Sequence, residues 1–161
     1  MHFDVRAARP GEEEAIVPVY EWLFAPPGSR PAAWDPARAA VALRQAIESH
    51  DACVLIAVEA APGAPDDRPP RPGRILGLCT GYQDLHSVRF GYRAWVEDLV
   101  VDPDCRSLGI GKALLDAAKA WARERGATHL ELDSAEARAD AHRFYEREGA
   151  HYRAISFGWQ L

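Results

Sequence analysis

One segment constrains the fold more than any other: Val96–Ala127, VEDLVVDPDCRSLGIGKALLDAAKAWARERGA. It opens with β-branched and apolar residues in strand style. From about Leu108 to Arg125, apolar residues recur at helical spacing: Ile110, Leu114, Ala117, Ala118 and Trp121. Gly126 is placed to stop that helix. THLELD follows as another strand. A strand, a crossover helix and a second strand make a parallel pair, because the helix returns the chain to the same end of the sheet.

The remaining segments place other elements around this unit. HFDVRAA alternates as a first strand. Gly11 to Phe24 reads as a helix, with Glu12, Glu13 and Glu14 in its first turn, where acids suit the helix dipole. Asp35-Pro36 reads as an N-cap with proline at the first helical position. That helix should run to about Ser49, with Val41, Leu43, Ala46 and Ile47 inward. ACVLIAVEA, RILGLCTGY and YRAWVEDLVV read as three strands joined by loops too short for crossover helices, hence antiparallel. The proline-rich stretch at about 60–73 is expected as a loop between paired strands rather than a domain linker. Ala137 to Glu148 reads as an amphipathic helix stopped by Gly149, and YRAISFGWQL as a closing strand. The expectation is an α/β (α+β) fold forming a single domain over residues 1–161.

Composition narrows the function. The chain is long enough for one full core and short for two. A net charge of -5 argues against a general nucleic-acid binder, which needs a basic face. Cys53, Cys79 and Cys105 are far apart, and none has metal-ligand spacing, so no metal is expected. A reducing, cytoplasmic setting is the simplest reading. The start MHFDVRAARPGEEE shows no secretory pattern, and no stretch approaches the roughly 20 apolar residues of a membrane span.

The turn CRSLGIGK, ahead of the long helix, carries the chemical signal. Glycines there could serve the turn alone. Phosphate-binding loops of the G-x-x-x-x-G-K-S/T type fail, because Lys112 is followed by Ala113 and no upstream glycine matches. The dinucleotide pattern G-x-G-x-x-G fails at Leu114. What remains is a helix N-terminus with exposed backbone N–H groups, a general anion site.

In the frame R-x-x-G-x-G, Arg106 to Gly111, the sequence resembles the GNAT superfamily of acyl-CoA-dependent N-acyltransferases, whose pyrophosphate loop reads Q/R-x-x-G-x-G/A. A second segment, SAEARADAHRFYEREGA, resembles a GNAT variant at Ser134, Arg138, Ala141, His142, Phe144, Tyr145 and Gly149. Many relatives carry Asn where Arg138 stands and an aromatic where Ala150 stands. The resemblance implies a mixed, mostly antiparallel central sheet of six to seven strands flanked by four helices, with a splayed parallel strand pair. It implies that the N–H groups of Ser107, Leu108, Gly109, Ile110, Gly111 and Lys112 cradle the pyrophosphate of acetyl-CoA, with Arg106 beside them as a further cofactor-binding residue. The strand edge Leu99, Val100 and Val101 would pair with its pantetheine arm, with Arg138 beside that arm.

The resemblance also implies direct attack by an amine on the acetyl thioester. A backbone N–H near Leu99, freed by a bulge, would polarise the carbonyl. Tyr145 would be the general acid and Glu97 the base, directly or through water. Strand alternation lets at most one of Glu97 and Asp98 face the acceptor pocket. Pairing with Arg93 is the competing role for Glu97, and Asp98, Asp133 and water stay open as bases. His142 on the Tyr145 helix and Cys105 before the anion loop are read as bystanders, while Trp22, Phe24 and Trp34 could line the acceptor pocket.

The expected function is transfer of an acetyl group from acetyl-CoA to a primary amine of a small molecule, with a cationic acceptor suited to the acidic strand residues. The alternative is a non-catalytic acyl-CoA-binding sensor. No nucleic-acid or membrane partner is expected, and a homodimer is possible through the C-terminal strand.

Overall fold

The computed structural model describes residues 2–60, 73–84 and 86–161. Strand β1 spans Phe3–Ala7. Helices α1 (Glu13–Ile16) and α2 (Tyr20–Phe24) follow, joined by a 3-10 turn at Val17–Val19. Then come α3 (Pro36–Glu48), β2 (Ala52–Glu59), β3 (Ile75–Gln83), β4 (Arg93–Val101), α4 (Ile110–Glu124), β5 (His129–Leu132) and α5 (Ala139–Arg147).

The strands lie in sequence order, β1-β2-β3-β4-β5. The first three pairings are antiparallel, and β4 pairs with β5 in parallel around the crossover helix α4. This is the arrangement the short middle loops and the long helix require.

β2 shows why its apolar run is continuous. Cys53, Leu55 and Ala57 pack in one core with Ile110, Leu114 and Ala118 of α4. Val54, Ile56 and Val58 pack in a second core with Ile16, Val19 and Leu43 from α1, the turn after it and α3. A strand covered on both faces has no polar face to offer. Gly77 of β3 lies close under α4. A Cβ there would sit 2.9 Å from Leu114, 3.0 Å from the Val100 carbonyl and 3.1 Å from Ile110.

Most expected boundaries hold. The Asp35 side chain accepts from the N–H groups of Ala37 (2.8 Å) and Arg38 (3.3 Å), with Pro36 at the first turn. Gly126 and Gly149 end α4 and α5 with φ of +77° and +84°.

Four expectations need correction. The helix expected over Gly11–Phe24 is interrupted, because Pro18 has no N–H to continue it. Val41 of α3 is exposed, whereas Leu43 is buried and Ala46 and Ile47 pack against the second core. The six to seven strands become five among the described residues. The missing one is YRAISFGWQL: residues 150–161 carry no regular structure and are exposed. A ladder needs a backbone edge, but this segment meets the short β5 through side chains. Tyr152 donates to Glu131 at 2.7 Å, and Ser156 donates to Asp133 at 2.6 Å. The proline-rich loop, at 61–72, lies outside the described residues.

Candidate active site

β4 and β5 keep register only from Arg93↔His129 to Val96↔Leu132. Beyond that point Leu99, Val100 and Val101 stay paired with Cys79, Leu78 and Gly77 of β3, while β5 has ended. The two strands thus open a wedge. A cavity of about 460 Å³ fills it, bounded by β4, the segment after β5, α5 and the chain from Tyr20 to Trp34.

The β4 side of this cavity carries a bulge. Thr80 pairs with Asp98 and Gly81 with Val96, so Glu97 is the extra residue. The phase slip is visible in the packing: Val96 and Leu99, three apart, both pack toward the α4 core. Glu97 and Asp98 consequently both line the cavity. Simple alternation allowed only one of them there; the bulge is the reason it fails.

The two carboxylates are not equivalent. Asp98 Oδ2 accepts from the Tyr20 hydroxyl at 2.9 Å and from Thr80 Oγ1 at 2.8 Å. Burial, then the Asp98 charge and hydrogen bond, push the Tyr20 phenol well above its ordinary value, so Tyr20 remains a donor. Glu97, also on the cavity wall, is exposed. Its pKa is raised above 4.5 by partial burial first, then by the charges of Asp98 and Asp133. Arg93 is engaged elsewhere, with Asp84 at 2.9 Å and Glu131 at 3.5 Å.

Tyr145, on α5, lines the opposite wall. Burial pushes its phenol up to about 12, the buried Cys79 adding to the shift and Arg138 opposing it. It is therefore protonated at neutral pH and can give a proton. Arg138, at the start of α5, donates to the Leu23 carbonyl at 2.8 Å and so ties α5 to the end of α2. Gly28 makes room for this bond: a Cβ there would lie 2.5 Å from the guanidinium and 2.1 Å from the Leu23 oxygen.

The anion loop is built at the start of α4. Ser107 has φ +62° and Gly109 +84°, the second at the helix N-cap. The first helical bond of α4 closes from Ala113 N–H to Gly109 C=O at 3.0 Å, and the preceding N–H groups have no acceptor within the helix. Ile110 is buried and anchors the turn. A Cβ on Gly109 would meet nothing within 4 Å, so the space beside the loop is open. A Cβ on Gly111 would meet Phe144 and Val101 at ordinary contact distance, 3.6 Å. The Lys112 ammonium pairs with Asp116 at 2.6 Å and Glu148 at 3.5 Å. An open rim whose N–H groups have no acceptor within the helix fits a phosphate group, and the strand edge at Leu99–Val101, beyond the end of β5, fits an amide-bearing chain.

Other sequence candidates divide. Phe24 and Trp34 line the cavity, whereas Trp22 packs against the second core. Cys105 is buried. His142 is half-buried and is not among the described cavity-lining residues. Sequence reasoning missed Tyr20, Thr80 and the Pro27–Gly28–Ser29 stretch. Tyr20 meets Asp98 across 78 positions, and no local pattern announces that contact.

The fold and this wedge define a class. The profile of the Acetyltransferase (GNAT) family matches residues 16–150. The chain belongs to that family. It is 49% identical over 71 residues to the uncharacterized N-acetyltransferase YhdJ of Bacillus subtilis, covering 44% of this chain and 49% of that one. It is 37% identical over 86 residues to the aminoalkylphosphonate N-acetyltransferase of Salmonella typhimurium, covering 52% and 56%. The aligned region thus spans about half the length of these relatives. The fold is also that of AAC(6')-Iy in complex with the bisubstrate analog CoA-S-monomethyl-acetylneamine, at TM-score 0.74, 17% identity and full coverage of both chains.

Proposed function

We propose that this chain is a single-domain N-acetyltransferase that moves an acetyl group from acetyl-CoA to a primary amine of a small molecule. The observation that carries the reading is the bulge at Glu97, which sets two carboxylates in the wedge opposite Tyr145.

The N–H groups of Ser107 to Lys112, with Arg106 beside them, would hold the pyrophosphate of acetyl-CoA, and the Leu99–Val101 edge its pantetheine arm. Arg138 braces the wall beside that arm through Leu23. Bound acetyl-CoA supplies an electrophilic acetyl thioester. Glu97, with its raised pKa, takes a proton from the incoming ammonium directly or through water. Asp98 lies in the same wedge but is held by the Tyr20 and Thr80 hydroxyls. A backbone N–H near Leu99 donates to the acetyl carbonyl, and Tyr145 supplies the proton for the departing thiolate.

The cavity also argues for the kind of acceptor. Glu97, Asp98 and Asp133 line it together with Tyr20, Phe24 and Trp34. Phe24 and Trp34 meet edge-on at 4.7 Å, and Tyr20 lies 5.2 Å from Trp34. Arg138, the one cation among the described lining residues, is already bonded to Leu23. Such a site favours a cationic amine with an apolar or ring body over an anionic aminoalkylphosphonate.

A second copy of the chain is the proposed partner. Ile155, Phe157, Trp159 and Leu161 stand at alternate positions in the sequence and are exposed by 78% or more, large apolar side chains without cover among the described residues. The proposed location is the cytoplasm; no described helix is long and apolar enough to cross a membrane.

The test is thiol release from acetyl-CoA with two amine pools, one of polyamines and ring-bearing cationic amines, the other of aminoalkylphosphonates. Turnover with the first supports the reading. Turnover with the phosphonates alone overturns the acceptor assignment. Binding of acetyl-CoA without turnover of any amine moves the protein to an acyl-CoA sensor.

A further inference from the structure

Tyr145 stands on a helix that the core grips weakly. None of the α5 residues Ala139–Arg147 is buried. A helix without a buried apolar face depends on ties at its ends. At the C-terminal end, Lys119 of α4 donates to the Glu148 carbonyl at 3.3 Å, and Lys112 pairs with the Glu148 carboxylate at 3.5 Å. At the N-terminal end, the tie to a distant part of the chain is Arg138 Nη2, which donates to the Leu23 carbonyl at 2.8 Å across 115 positions.

Leu23 belongs to a turn with a second tie. Tyr20, three residues earlier on the same face of α2, donates to Asp98 of β4 at 2.9 Å. The turn therefore joins β4 to α5 across the wedge, through Asp98 and Tyr20 on one side and Leu23 and Arg138 on the other. All four residues line the cavity. On α5, Arg138, Ala141 and Tyr145 line it together at helical spacing. Burial raises the Tyr145 phenol and the Cys79 thiol adds to the rise, while Arg138 opposes it, as a guanidinium on the same face would.

We propose that Arg138 is a positioning residue for acetyl transfer: through Leu23 it fixes the helix bearing Tyr145 against the acceptor segment Tyr20–Trp34, and so sets the proton donor's distance from β4. The assignment rests on the acetyltransferase reading above. In this role Arg138 touches neither the acceptor nor the reacting atoms. Its effect falls on acceptor capture and proton delivery, not on acetyl-CoA affinity.

The test is steady-state kinetics of wild type, Arg138→Ala and Arg138→Lys, with the cationic amine that wild type turns over fastest, beside calorimetric titration of acetyl-CoA into each. Arg138→Ala should raise the acceptor KM and lower kcat, with kcat/KM falling about tenfold or more for one lost charge-assisted hydrogen bond. Its acetyl-CoA affinity should be unchanged. Added methylguanidine, which can refill the contact with the Leu23 carbonyl, should restore part of the loss. Arg138→Lys should fall between the two, and it carries the same readings if Arg138→Ala does not fold. A kcat lowered at constant KM and untouched by methylguanidine marks loss of folded enzyme and overturns the proposal. Weakened acetyl-CoA binding at constant acceptor KM makes Arg138 a donor-binding residue and overturns it too, as does a variant kinetically equal to wild type. Wild type that turns over no amine overturns the acetyltransferase reading, and this assignment with it.

Discussion

The Tyr20 hydroxyl donates to Asp98 Oδ2 at 2.9 Å, joining the start of α2 to the bulged strand β4. Thr80 donates to the same oxygen from β3. This doubly bonded carboxylate lines the wedge, and its two hydrogen bonds set Asp98 apart from Glu97, whose raised pKa suits proton transfer.

Tyr145→Phe removes the proposed proton donor and leaves the ring in place. The turnover number should fall by about 10²-fold or more, while calorimetry finds acetyl-CoA affinity unchanged. Retained turnover would assign Tyr145 to packing alone.

Glu97→Gln should flatten the acidic limb of the kcat/KM profile, leaving only the ionisation of the acceptor amine. In wild type that limb should have its midpoint above 4.5, the ordinary glutamate value, because the folded-state pKa is raised. The same shift has a stability consequence. The folded state holds the Glu97 proton more tightly than the unfolded chain, so the ionised side chain costs stability once the pH exceeds its folded pKa. Thermal melts at pH 7 should find Glu97→Gln at least as stable as wild type. The difference should vanish as the pH falls below about 4.5.

Glu13 has the opposite sign. It is buried at the start of α1, pairs with Arg44 at 2.6 Å and accepts from the Gly11 N–H at 2.8 Å. Hydrogen bonds hold its pKa below 4.5. The stability it contributes is present above that value and is lost as the pH falls through the lowered pKa. Glu13→Gln should therefore melt lower than wild type at pH 7, with the gap narrowing in acid.

Gly28→Ala places a methyl group where the Arg138–Leu23 bond passes. Overpacking of this kind costs about 1–3 kcal/mol, readable in urea unfolding. Because the displaced groups wall the cavity, the acceptor KM should rise more than the turnover number falls.

Removing residues 154–161 should abolish self-association measured by light scattering, if the exposed Ile155, Phe157, Trp159 and Leu161 stripe pairs two copies. A wild-type chain that is monomeric at high concentration contradicts the dimer.

Much of the architecture was legible because it rests on local pattern. Periodicity located α3, α4 and α5, and Asp35 and Gly126 fixed ends through capping chemistry. The parallel β4–β5 pair followed from the helix between them. The failures have physical causes of a different kind. Pro18 broke a helix whose apolar spacing looked continuous. The C-terminal alternation was read as a strand although the pattern alone provides no edge to pair with. The bulge at Glu97 depends on how β3 lies against β4, so period-two reasoning put Asp98 and Glu97 on opposite faces. Tyr20 and Thr80 entered the site only through contacts distant in sequence.

The proposed activity depends most directly on acyl-donor binding at the α4 loop and the β4 edge. A thermal-shift titration with acetyl-CoA measures it without any knowledge of the acceptor. A ligand present at about 100 times its Kd that binds only the folded state adds about 2.7 kcal/mol of stability, so the melting temperature should climb steadily with acetyl-CoA. A melting temperature that does not move at millimolar acetyl-CoA would contradict the central claim and leave Gly109 and Gly111 as parts of a turn.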